Sequence, residues 1–237
     1  MEMAVKALVF DVFGTVVDWR SSLIEQFEEF GAEKGLTVDW AGFVDDWKKA
    51  YKPGMDAVRE GRWPWTNVEG IYRKKIDELA SQYGLEQLSE SDRTGLARAW
   101  HRLKPWPDVV EGLERLKSRY VLSTLSNGDV ACLVNMAKYG SLPWDCILCA
   151  EIFRHYKPDP EVYHGAIQLL GFEPQETMLV AAHNYDLAAA QSHGMRTAFV
   201  ARPQEFGLAQ TSDLKAEGNW DIIAEDFGEL ASALNRS

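Results

Sequence analysis

The segment "ALVFDVFGTVVDW" (Ala7–Trp19) joins an apolar run to a single carboxylate and a glycine turn. Residues 5–10 predict a buried β-strand, because short apolar runs of this length are typical of strands covered on both faces. Asp11 follows where the strand ends, and Phe13 lies two residues further on. An ionisable side chain at the exit of a buried strand indicates chemistry at that end of the sheet.

Four further apolar runs predict buried strands, at residues 120–126, 146–150, 177–182 and 196–201. Helical patterns separate the later runs, as in "DPEVYHGAIQLLGF", where Val162, Ala166, Leu169 and Leu170 share a face and Gly171 suits the C-terminal cap. Strands alternating with helices predict an α/β fold with a doubly wound parallel sheet. Ligands bind beyond the carboxyl ends of the strands in such sheets, which is where Asp11 lies.

The chain between the first two strands is too long for one crossover helix and predicts an inserted helical domain. Its helices are expected at residues 21–35, 39–51, 67–84 and 91–103, with Ser, Asp or Asn as N-caps and with Pro53 and Pro105 as stops. We expect a core domain of residues 1–16 and 105–237, and a helical cap domain of residues 17–104. Five tryptophans are expected mainly in the cap's core, with the last two as candidates for a pocket wall: Trp40, Trp47, Trp100, Trp63 and Trp65.

Composition restricts the partners. The formal net charge of -11 over 237 residues argues against a nucleic-acid or anionic-membrane surface. The N-terminal segment lacks a signal-peptide pattern and no apolar run reaches 18 residues, so we expect a cytoplasmic protein that does not bind membranes. Three cysteines fit a reducing compartment; Cys146 and Cys149, in an apolar run, are interpreted as strand thiols rather than a redox or metal pair.

Four short motifs reach the same rim of the predicted sheet. They are "FDVFGT" (10–15), "LSNGD" (125–129), "HYKPDPEVY" (155–163) and "VAAHNYDLAAA" (180–190). Together they resemble the haloacid dehalogenase (HAD) superfamily, and more narrowly its type II (L-)2-haloacid dehalogenases. The resemblance implies a HAD-like, Rossmann-type core with an inserted helical cap. It also implies hydrolysis of small 2-haloacids to 2-hydroxy acids through an ester on the motif aspartate.

Asp11 is the expected nucleophile. A carboxylate near the Lys157 cation stays ionised, and an ionised carboxylate can attack carbon. By resemblance, Thr15 supports the Asp11 carboxylate, and Lys157 pairs with both Asp11 and Asp186. Capping of the Gly14 turn is the structural alternative for Asp11.

Three polar residues complete the predicted catalytic set. Ser126 and Asn127 can donate hydrogen bonds to the nucleophile or to the substrate acid group, or can form a turn before Gly128. His183 is the candidate base for the water that hydrolyses the ester, with Asp186 and Lys157 orienting that water. A neutral histidine with a structural role is the alternative for His183.

Phe13 indicates which leaving group the site can release. Phosphatases of the superfamily carry a second aspartate at this position, which protonates the leaving alcohol; a halide leaves as a weak base and needs no proton. The fourth motif offers no hard oxygen ligand besides Asp186. We therefore expect neither a metal ion nor another cofactor. By resemblance, Phe13 is expected to form part of an apolar wall around the substrate.

The substrate pocket is expected to use aromatic side chains and one cation. The aromatic candidates besides Phe13 are Trp19, Trp65, Tyr163 and Tyr185. The family places a halide-receiving arginine in the cap's second helix, where this chain has Lys48, which lacks the planar fork of arginine. Arg20 is the alternative cation.

Departures from the family pattern leave alternatives open. Ala181, His183 and Tyr185 replace the serine, asparagine and tryptophan of the best-known dehalogenases. "DWRSS" and "AAHNYDLAAA" resemble a branch with members active on fluoroacetate. A magnesium-dependent phosphatase and a catalytically silent relative remain as rivals. We expect a small halogenated carboxylic acid as partner. Homodimers are common among similar proteins, but the sequence leaves the oligomeric state undetermined, together with the halogen, the chain length and the enantiomer.

Overall fold

A computed structural model describes residues 4–236 of the chain. Helices and strands alternate around one central sheet, with a run of helices early in the chain. In chain order they are β1 (Ala7–Phe10), β2 (Val17–Asp18), α1 (Trp19–Lys34), α2 (Trp40–Lys48), α3 (Tyr51–Arg59), α4 (Val68–Gln82), α5 (Glu90–Ala97), β3 (Lys104–Pro105), α6 (Val109–Lys117), β4 (Val121–Ser126), α7 (Val130–Gly140), β5 (Cys146–Cys149), α8 (Ala150–Phe153), α9 (Pro160–Leu170), β6 (Thr177–Ala181), α10 (Asn184–Ser192), β7 (Arg196–Val200), β8 (Ile222–Ala224) and α11 (Phe227–Arg236).

The central sheet has six parallel strands in the order β5–β4–β1–β6–β7–β8. The chain builds outward from β1 through β4 to β5, then returns to β6 on the other side of β1. This reversal puts the carboxyl ends of β4, β1 and β6 side by side, which is where doubly wound sheets bind ligands. The predicted α/β fold class and its five strands are confirmed; β8 was not predicted.

The helical insertion leaves and rejoins the core at one place. β2 and β3 pair antiparallel, with Val17 opposite Pro105 and Asp18 opposite Lys104. Between them lie α1 to α5 and a 3₁₀ helix at Arg98–Arg102. Asp39 and Asn67 are N-caps as predicted, since their side chains accept backbone N–H bonds. The other two helices begin earlier than predicted, with Asp18 rather than Ser21 and Ser89 rather than Ser91 as the cap.

Three details of the predicted helices are wrong. Pro53 does not stop a helix but lies in the first turn of α3, where a missing N–H breaks no intrahelical bond. The helix expected over 91–103 is divided into α5 and the 3₁₀ helix. In α9 the buried face comprises Val162, Tyr163, Ala166 and Ile167, whereas Leu169 is exposed; Gly171 caps the helix as predicted.

Two hydrophobic clusters flank the sheet. The larger continues into the insertion and includes the buried Trp40, Trp47 and Trp100; the smaller packs α9 and α10 on the opposite face. The cysteines at positions 132, 146 and 149 are free thiols, and the first and last are buried. Among residues 4–236, no helix is long and apolar enough to span a membrane.

Candidate active site

Asp11 lies at the carboxyl end of β1, in the centre of the sheet. Its backbone N–H donates to the Val180 carbonyl at 3.0 Å, which fixes the residue relative to β6. Its carboxylate accepts hydrogen bonds from Thr15 Oγ1 to Oδ2 at 2.7 Å and from Lys157 Nζ to Oδ1 at 2.8 Å. The predicted trio of Asp11, Thr15 and Lys157 is therefore in direct contact.

Lys157 bridges two buried carboxylates. Its Nζ donates to Asp186 as well as to Asp11, and the Tyr163 hydroxyl donates to Asp186 Oδ1 at 2.6 Å. Asp186 is fully buried and Lys157 is 2% exposed. Tyr163 thus positions Asp186 and does not line the cavity, contrary to its expected place in the substrate pocket.

The charge state of this group follows from its contacts. Burial opposes ionisation of Asp11, but Lys157 and His183 outweigh it and hold the pKa of Asp11 well below its usual value. Burial also opposes the charge of Lys157, yet Asp11 and Asp186 raise the pKa of Lys157 above its usual value. Burial raises the pKa of Asp186, against the attraction of Lys157. Asp11 is therefore the ionised carboxylate beside a permanent cation.

Ser126 and Asn127 serve the loop geometry. Ser126 Oγ accepts a hydrogen bond from Gly128 N at 3.1 Å, and Asn127 Oδ1 accepts one from Lys157 N at 2.7 Å. Neither residue lines the cavity beside Asp11. Both side chains therefore stabilise the turn before Gly128 and the backbone of Lys157, which agrees with the alternative interpretation of this pair as turn-forming residues.

His183 bridges two carboxylates. Its Nδ1 lies 3.0 Å from Asp11 Oδ2, and its Nε2 lies 2.8 Å from Oε2 of Glu205. Burial favours the neutral ring, but Glu205 and Asp11 raise the pKa of His183 well above its usual value. Contact of both ring nitrogens with carboxylates therefore favours the imidazolium form of His183 while Asp11 is ionised.

Glu205 is the functional candidate that the motifs did not reveal. It is 1% exposed, and its Oε1 accepts a hydrogen bond from Trp19 Nε1 at 3.0 Å. It belongs to the loop after β7, outside all four motifs, and a lone glutamate in a loop carries no local signal. Its contact with His183 arises only from the tertiary fold.

A cavity of about 690 Å³ opens from Asp11 toward the insertion. From the core come Asp11, Lys157, His183 and Glu205, with Asp159 and Asp213 also in the lining, and the insertion contributes residues of α2 and α3. The insertion's lining residues are Lys48, Tyr51, Lys52, Met55 and Arg59. Phe13 also lines the cavity, with its ring edge against Trp100 at a centroid distance of 5.6 Å.

Lys48 is held by aromatic faces. Its Nζ lies 4.9 Å from the ring centroid of Trp19, 4.3 Å from that of Tyr51 and 5.7 Å from that of Trp100. Burial lowers the pKa of Lys48, although Glu205 and Asp11 oppose that shift. The cavity wall thus presents a desolvated cation to an incoming anion.

The other predicted pocket residues take different places. Tyr185 lines the cavity, and Trp19 lies behind Lys48 and Glu205. Arg20 lies outside the cavity lining and forms a bidentate ion pair with Asp45 at 2.8 and 2.9 Å. Trp65 stacks on Tyr156 with centroids 4.9 Å apart and does not line the cavity either. Arg20 and Trp65 therefore lie outside the cavity lining, whereas Lys48 is part of it.

Arg59 and Tyr51 also escaped sequence analysis. The Arg59 guanidinium donates to the carbonyls of Tyr156 and Lys157, so α3 of the insertion is tied to the loop that carries Lys157. Tyr51 lines the cavity beside Lys48, whose Nζ lies 4.3 Å from the Tyr51 ring centroid. Both belong to α3, the helix that the sequence pattern did not predict.

Metal binding has little support in the donor set. Among the described residues 4–236, no cluster of three His, Cys, Asp or Glu side chains is arranged to hold a metal ion. The space between Asp11 and Asp186 is bridged by the Lys157 ammonium.

Known proteins provide a close match to this architecture. The haloacid dehalogenase-like hydrolase family model matches residues 5–194. The structure of the L-2-haloacid dehalogenase PA0810 matches with a TM-score of 0.96 and 49% identity, over 99% of this chain and 100% of that one. The defluorinating L-2-haloacid dehalogenase Rha0230 matches with a TM-score of 0.95 and 43% identity, over 98% and 95% of the two chains.

A curated relative agrees with the solved structures. The (S)-2-haloacid dehalogenase 4A of Burkholderia cepacia is 29% identical over 248 residues, which covers 96% of this chain and 99% of the relative. The family match spans well over half of the chain, and the match to PA0810 covers nearly all of it at 49% identity. This chain belongs to the haloacid dehalogenase-like hydrolases.

Proposed function

We propose that the protein hydrolyses small 2-haloacids to 2-hydroxy acids, with Asp11 as nucleophile. The observation that carries this proposal is the placement of the Asp11 carboxylate, which faces a cavity and contacts Thr15, Lys157 and His183. A carboxylate oxygen attacks C2 of the substrate on the face opposite the halogen. The carbon–halogen bond breaks with its electron pair, the carbon is inverted, and an ester with Asp11 forms.

The cavity suits a small anionic substrate with an apolar body. Phe13, Tyr51 and Met55 supply apolar surface, and Lys48 supplies a cation over aromatic rings. In our account Lys48 attracts the departing halide, while Lys157 keeps Asp11 charged. Removal of water strengthens these electrostatic interactions inside the cavity.

Phe13 supports dehalogenation over phosphate-ester hydrolysis. It is 6% exposed and lies beside the nucleophile, in the position where a phosphatase of the superfamily needs a proton donor. A halide leaves without a proton, whereas an alkoxide requires acid help worth about 10²–10⁴-fold. The bridging of Asp11 and Asp186 by Lys157 supports a reaction without a metal ion.

Fluoroacetate belongs to the proposed substrate range. The relative Rha0230, 43% identical over nearly the whole chain, is described as defluorinating. Fluoride is small and strongly hydrated, so a compact cation such as the Lys48 ammonium is a suitable partner for it.

The helical insertion acts as a cap in this proposal. It occupies residues between the paired β2 and β3, and its α2 and α3 form one wall of the cavity above Asp11. We retain residues 17–104 as this cap domain and residues 1–16 with 105–237 as the core domain.

Halide release tests the proposal. Purified protein is incubated with chloroacetate, L-2-chloropropionate and fluoroacetate, with and without magnesium, and free chloride or fluoride is measured. We expect metal-independent halide release with 2-hydroxy acid as the product. Magnesium-dependent release of phosphate from an aryl phosphate, without halide release, would instead establish the phosphatase alternative. Inactivity in both assays would indicate a catalytically silent relative.

A further inference from the structure

Glu205 holds the far side of the His183 ring and has no place in the first displacement. Its Oε2 lies 2.8 Å from Nε2, while Nδ1 on the opposite side of the ring lies 3.0 Å from Asp11 Oδ2. The histidine therefore touches the expected nucleophile through one nitrogen and a buried carboxylate through the other.

The loop that carries Glu205 is anchored to the nucleophile motif. Arg202 Nε donates to the Thr15 carbonyl at 2.9 Å, and its guanidinium forms a bidentate pair with Asp108 at 3.0 and 2.8 Å. Gly14 leaves room for Glu205, because a Cβ at position 14 would lie 2.2 Å from Glu205 Oε1. The approach of Glu205 to His183 is thus built into the FGT turn.

The two partners of His183 have different fates during the proposed reaction. Attack by Asp11 converts its carboxylate into a neutral ester, whereas Glu205 keeps its charge. We propose that Glu205 is a positioning residue for ester hydrolysis: once Asp11 is esterified, Glu205 holds the ring so that Nδ1 takes a proton from the attacking water. This inference rests on the proposed dehalogenation.

The proton balance closes over the cycle. Before esterification each ring nitrogen of His183 faces a carboxylate, and two such partners favour a protonated ring with two N–H groups. After esterification the imidazolium loses one proton to solvent through the cavity, which it lines, and this proton accompanies the halide. The remaining proton stays on Nε2, which donates a hydrogen bond to Glu205, and the unprotonated Nδ1 presents its lone pair to the ester.

Hydrolysis then restores the starting state. A water oxygen bonds to Cγ of Asp11 while one water proton moves to Nδ1 of His183. The bond between Cγ and the substrate oxygen breaks, and the remaining water proton ends on the 2-hydroxy acid. Asp11 is again a carboxylate and His183 again an imidazolium, so the net reaction releases one proton and one halide per turnover.

Several charged or titratable groups surround His183. Asp11 approaches from β1, Glu205 from the loop after β7 and Tyr185 from α10, with a ring distance of 5.9 Å. Lys48 from α2 interacts electrostatically with both carboxylates, and Lys157 is paired with Asp11. In the ester state Glu205 is the remaining carboxylate in contact with the ring, so it dominates the basicity of His183.

The test separates the two half-reactions of the full-length protein. Chloroacetate is mixed with excess enzyme, samples are acid-quenched, and chloride and the intact protein mass are measured. For Glu205→Gln we expect chloride release near the normal rate, accumulation of the Asp11 ester, and ester hydrolysis slowed about 10²-fold. The acidic limb of the hydrolysis pH profile shifts to lower pH, because loss of the anionic partner makes the ring less basic.

Two further variants keep the inference falsifiable. Glu205 and His183 act as a unit, so adding Glu205→Gln to His183→Asn is expected to slow hydrolysis little beyond His183→Asn alone. If Glu205→Gln does not fold, Glu205→Asp, whose carboxylate is withdrawn from Nε2, serves instead and slows hydrolysis selectively. Glu176→Gln, which removes an acid paired with Lys6 away from the cavity, is the matched control.

The outcomes distinguish this inference from the proposed function. Normal ester hydrolysis with an unchanged acidic limb in the Glu205 variants would overturn the role of Glu205. Equal slowing of chloride release and hydrolysis, or full additivity with His183→Asn, would also overturn it and indicate a structural residue. Absence of chloride release in the unaltered protein would instead refute the dehalogenase function itself.

Discussion

The sheet edge and the helical insertion contribute different kinds of contact to one cavity. On the sheet side Asp11, Lys157, His183 and Glu205 are joined by hydrogen bonds of 2.8 to 3.0 Å. On the insertion side Lys48 is surrounded by aromatic rings at centroid distances of 4.3 to 5.7 Å. Directional bonds fix reacting atoms, whereas aromatic faces allow a cation to accommodate different anions.

The comparison indicates that the two sides of the cavity have different functions. Strand ends are fixed by the backbone hydrogen bonds of the sheet, so the reaction chemistry is placed there. Helices α2 and α3 line the opposite side of the cavity, and Arg59 of α3 is hydrogen-bonded to the loop that carries Lys157. Substitutions on the sheet side should therefore abolish the reaction, and those on the insertion side should change its efficiency.

Asp11→Asn is expected to have the largest effect. The amide keeps the size of the side chain but removes the nucleophile, so halide release from chloroacetate should fall by roughly 10⁴-fold or more. Initial rates by ion chromatography measure it, with thermal unfolding as a check of the fold. Asp226→Asn, at the start of α11, is the control and should keep full activity. Retained halide release in Asp11→Asn would place the chemistry elsewhere.

Lys157→Met should affect both activity and stability. It leaves Asp11 and Asp186 without their shared cation, and loss of one partner of a buried pair costs about 3–5 kcal/mol. In the unaltered protein, the lowered pKa of Asp11 contributes stability that is present above its usual pKa and is lost at acid pH. In the variant the unpaired carboxylates favour protonation, so the stability deficit should grow as the pH rises.

Urea unfolding from pH 5 to pH 8 measures this deficit. Lys6→Met removes a largely exposed lysine that pairs with Glu176 and should change stability by no more than about 0.5 kcal/mol. A deficit that is the same at all pH values would contradict the assignment of Lys157 as the cation for these carboxylates.

Lys48→Met tests the insertion side. We expect kcat/KM for chloroacetate to fall about 10- to 10²-fold, the usual size of one hydrogen bond to a charged group, with the fold intact. Lys49→Met, its neighbour on the exposed surface in an ion pair with Asp46, should leave kcat/KM unchanged. A loss as large as that of Asp11→Asn would erase the distinction between the two sides.

Asp129→Asn tests the contact between the core and the insertion. Of the four substitutions it should have the smallest consequence, a pH-dependent change in the free energy of unfolding. The Asp129 carboxylate accepts N–H bonds from Val68 and Glu69 at the start of α4. Burial, with Glu151 and Glu69 nearby, raises the pKa of Asp129 to about 7. The protonated form is favoured in the fold, so this stability is present below the usual pKa and is lost as the pH rises through about 7.

The variant lacks that pH-dependent contribution. As the pH rises from 5 to 8, the unaltered protein loses about 2 kcal/mol of unfolding free energy that the variant does not lose. Urea unfolding at both pH values should therefore show the variant gaining that amount relative to the unaltered protein. Asp145→Asn removes a carboxylate with a lowered pKa and should show no such trend over this range. A constant difference for Asp129→Asn at both pH values would show that Asp129 is ionised throughout.

Sequence predicted the parts of the fold that local patterns encode. Apolar runs located five strands of the central sheet, and polar caps located the starts of α2 and α4. The helix α3 was missed because Pro53 is typical of a helix end when its position in the first turn is unknown. Strand β8 was missed because three residues with one exposed isoleucine carry no clear pattern.

The site residues also fall into two groups, those that local motifs predict and those that depend on tertiary packing. Residues within motifs, such as Asp11, Thr15 and Lys157, meet as expected because parallel strands end at one edge. Glu205 lies in a loop that tertiary contacts, such as the hydrogen bond from Arg202 to the Thr15 carbonyl, bring to His183. The choice between Arg20 and Lys48 depended on side-chain partners, and Asp45 captures Arg20.

The central claim is that the Asp11 carboxylate forms a covalent ester, which water then opens at Cγ. A single turnover with excess enzyme in ¹⁸O-labelled water, followed by mass spectrometry of the product and of the peptide containing Asp11, tests it directly. The account predicts an unlabelled 2-hydroxy acid in the first turnover and one ¹⁸O atom in the Asp11 side chain. Label in the first-turnover product with none in Asp11 would contradict it.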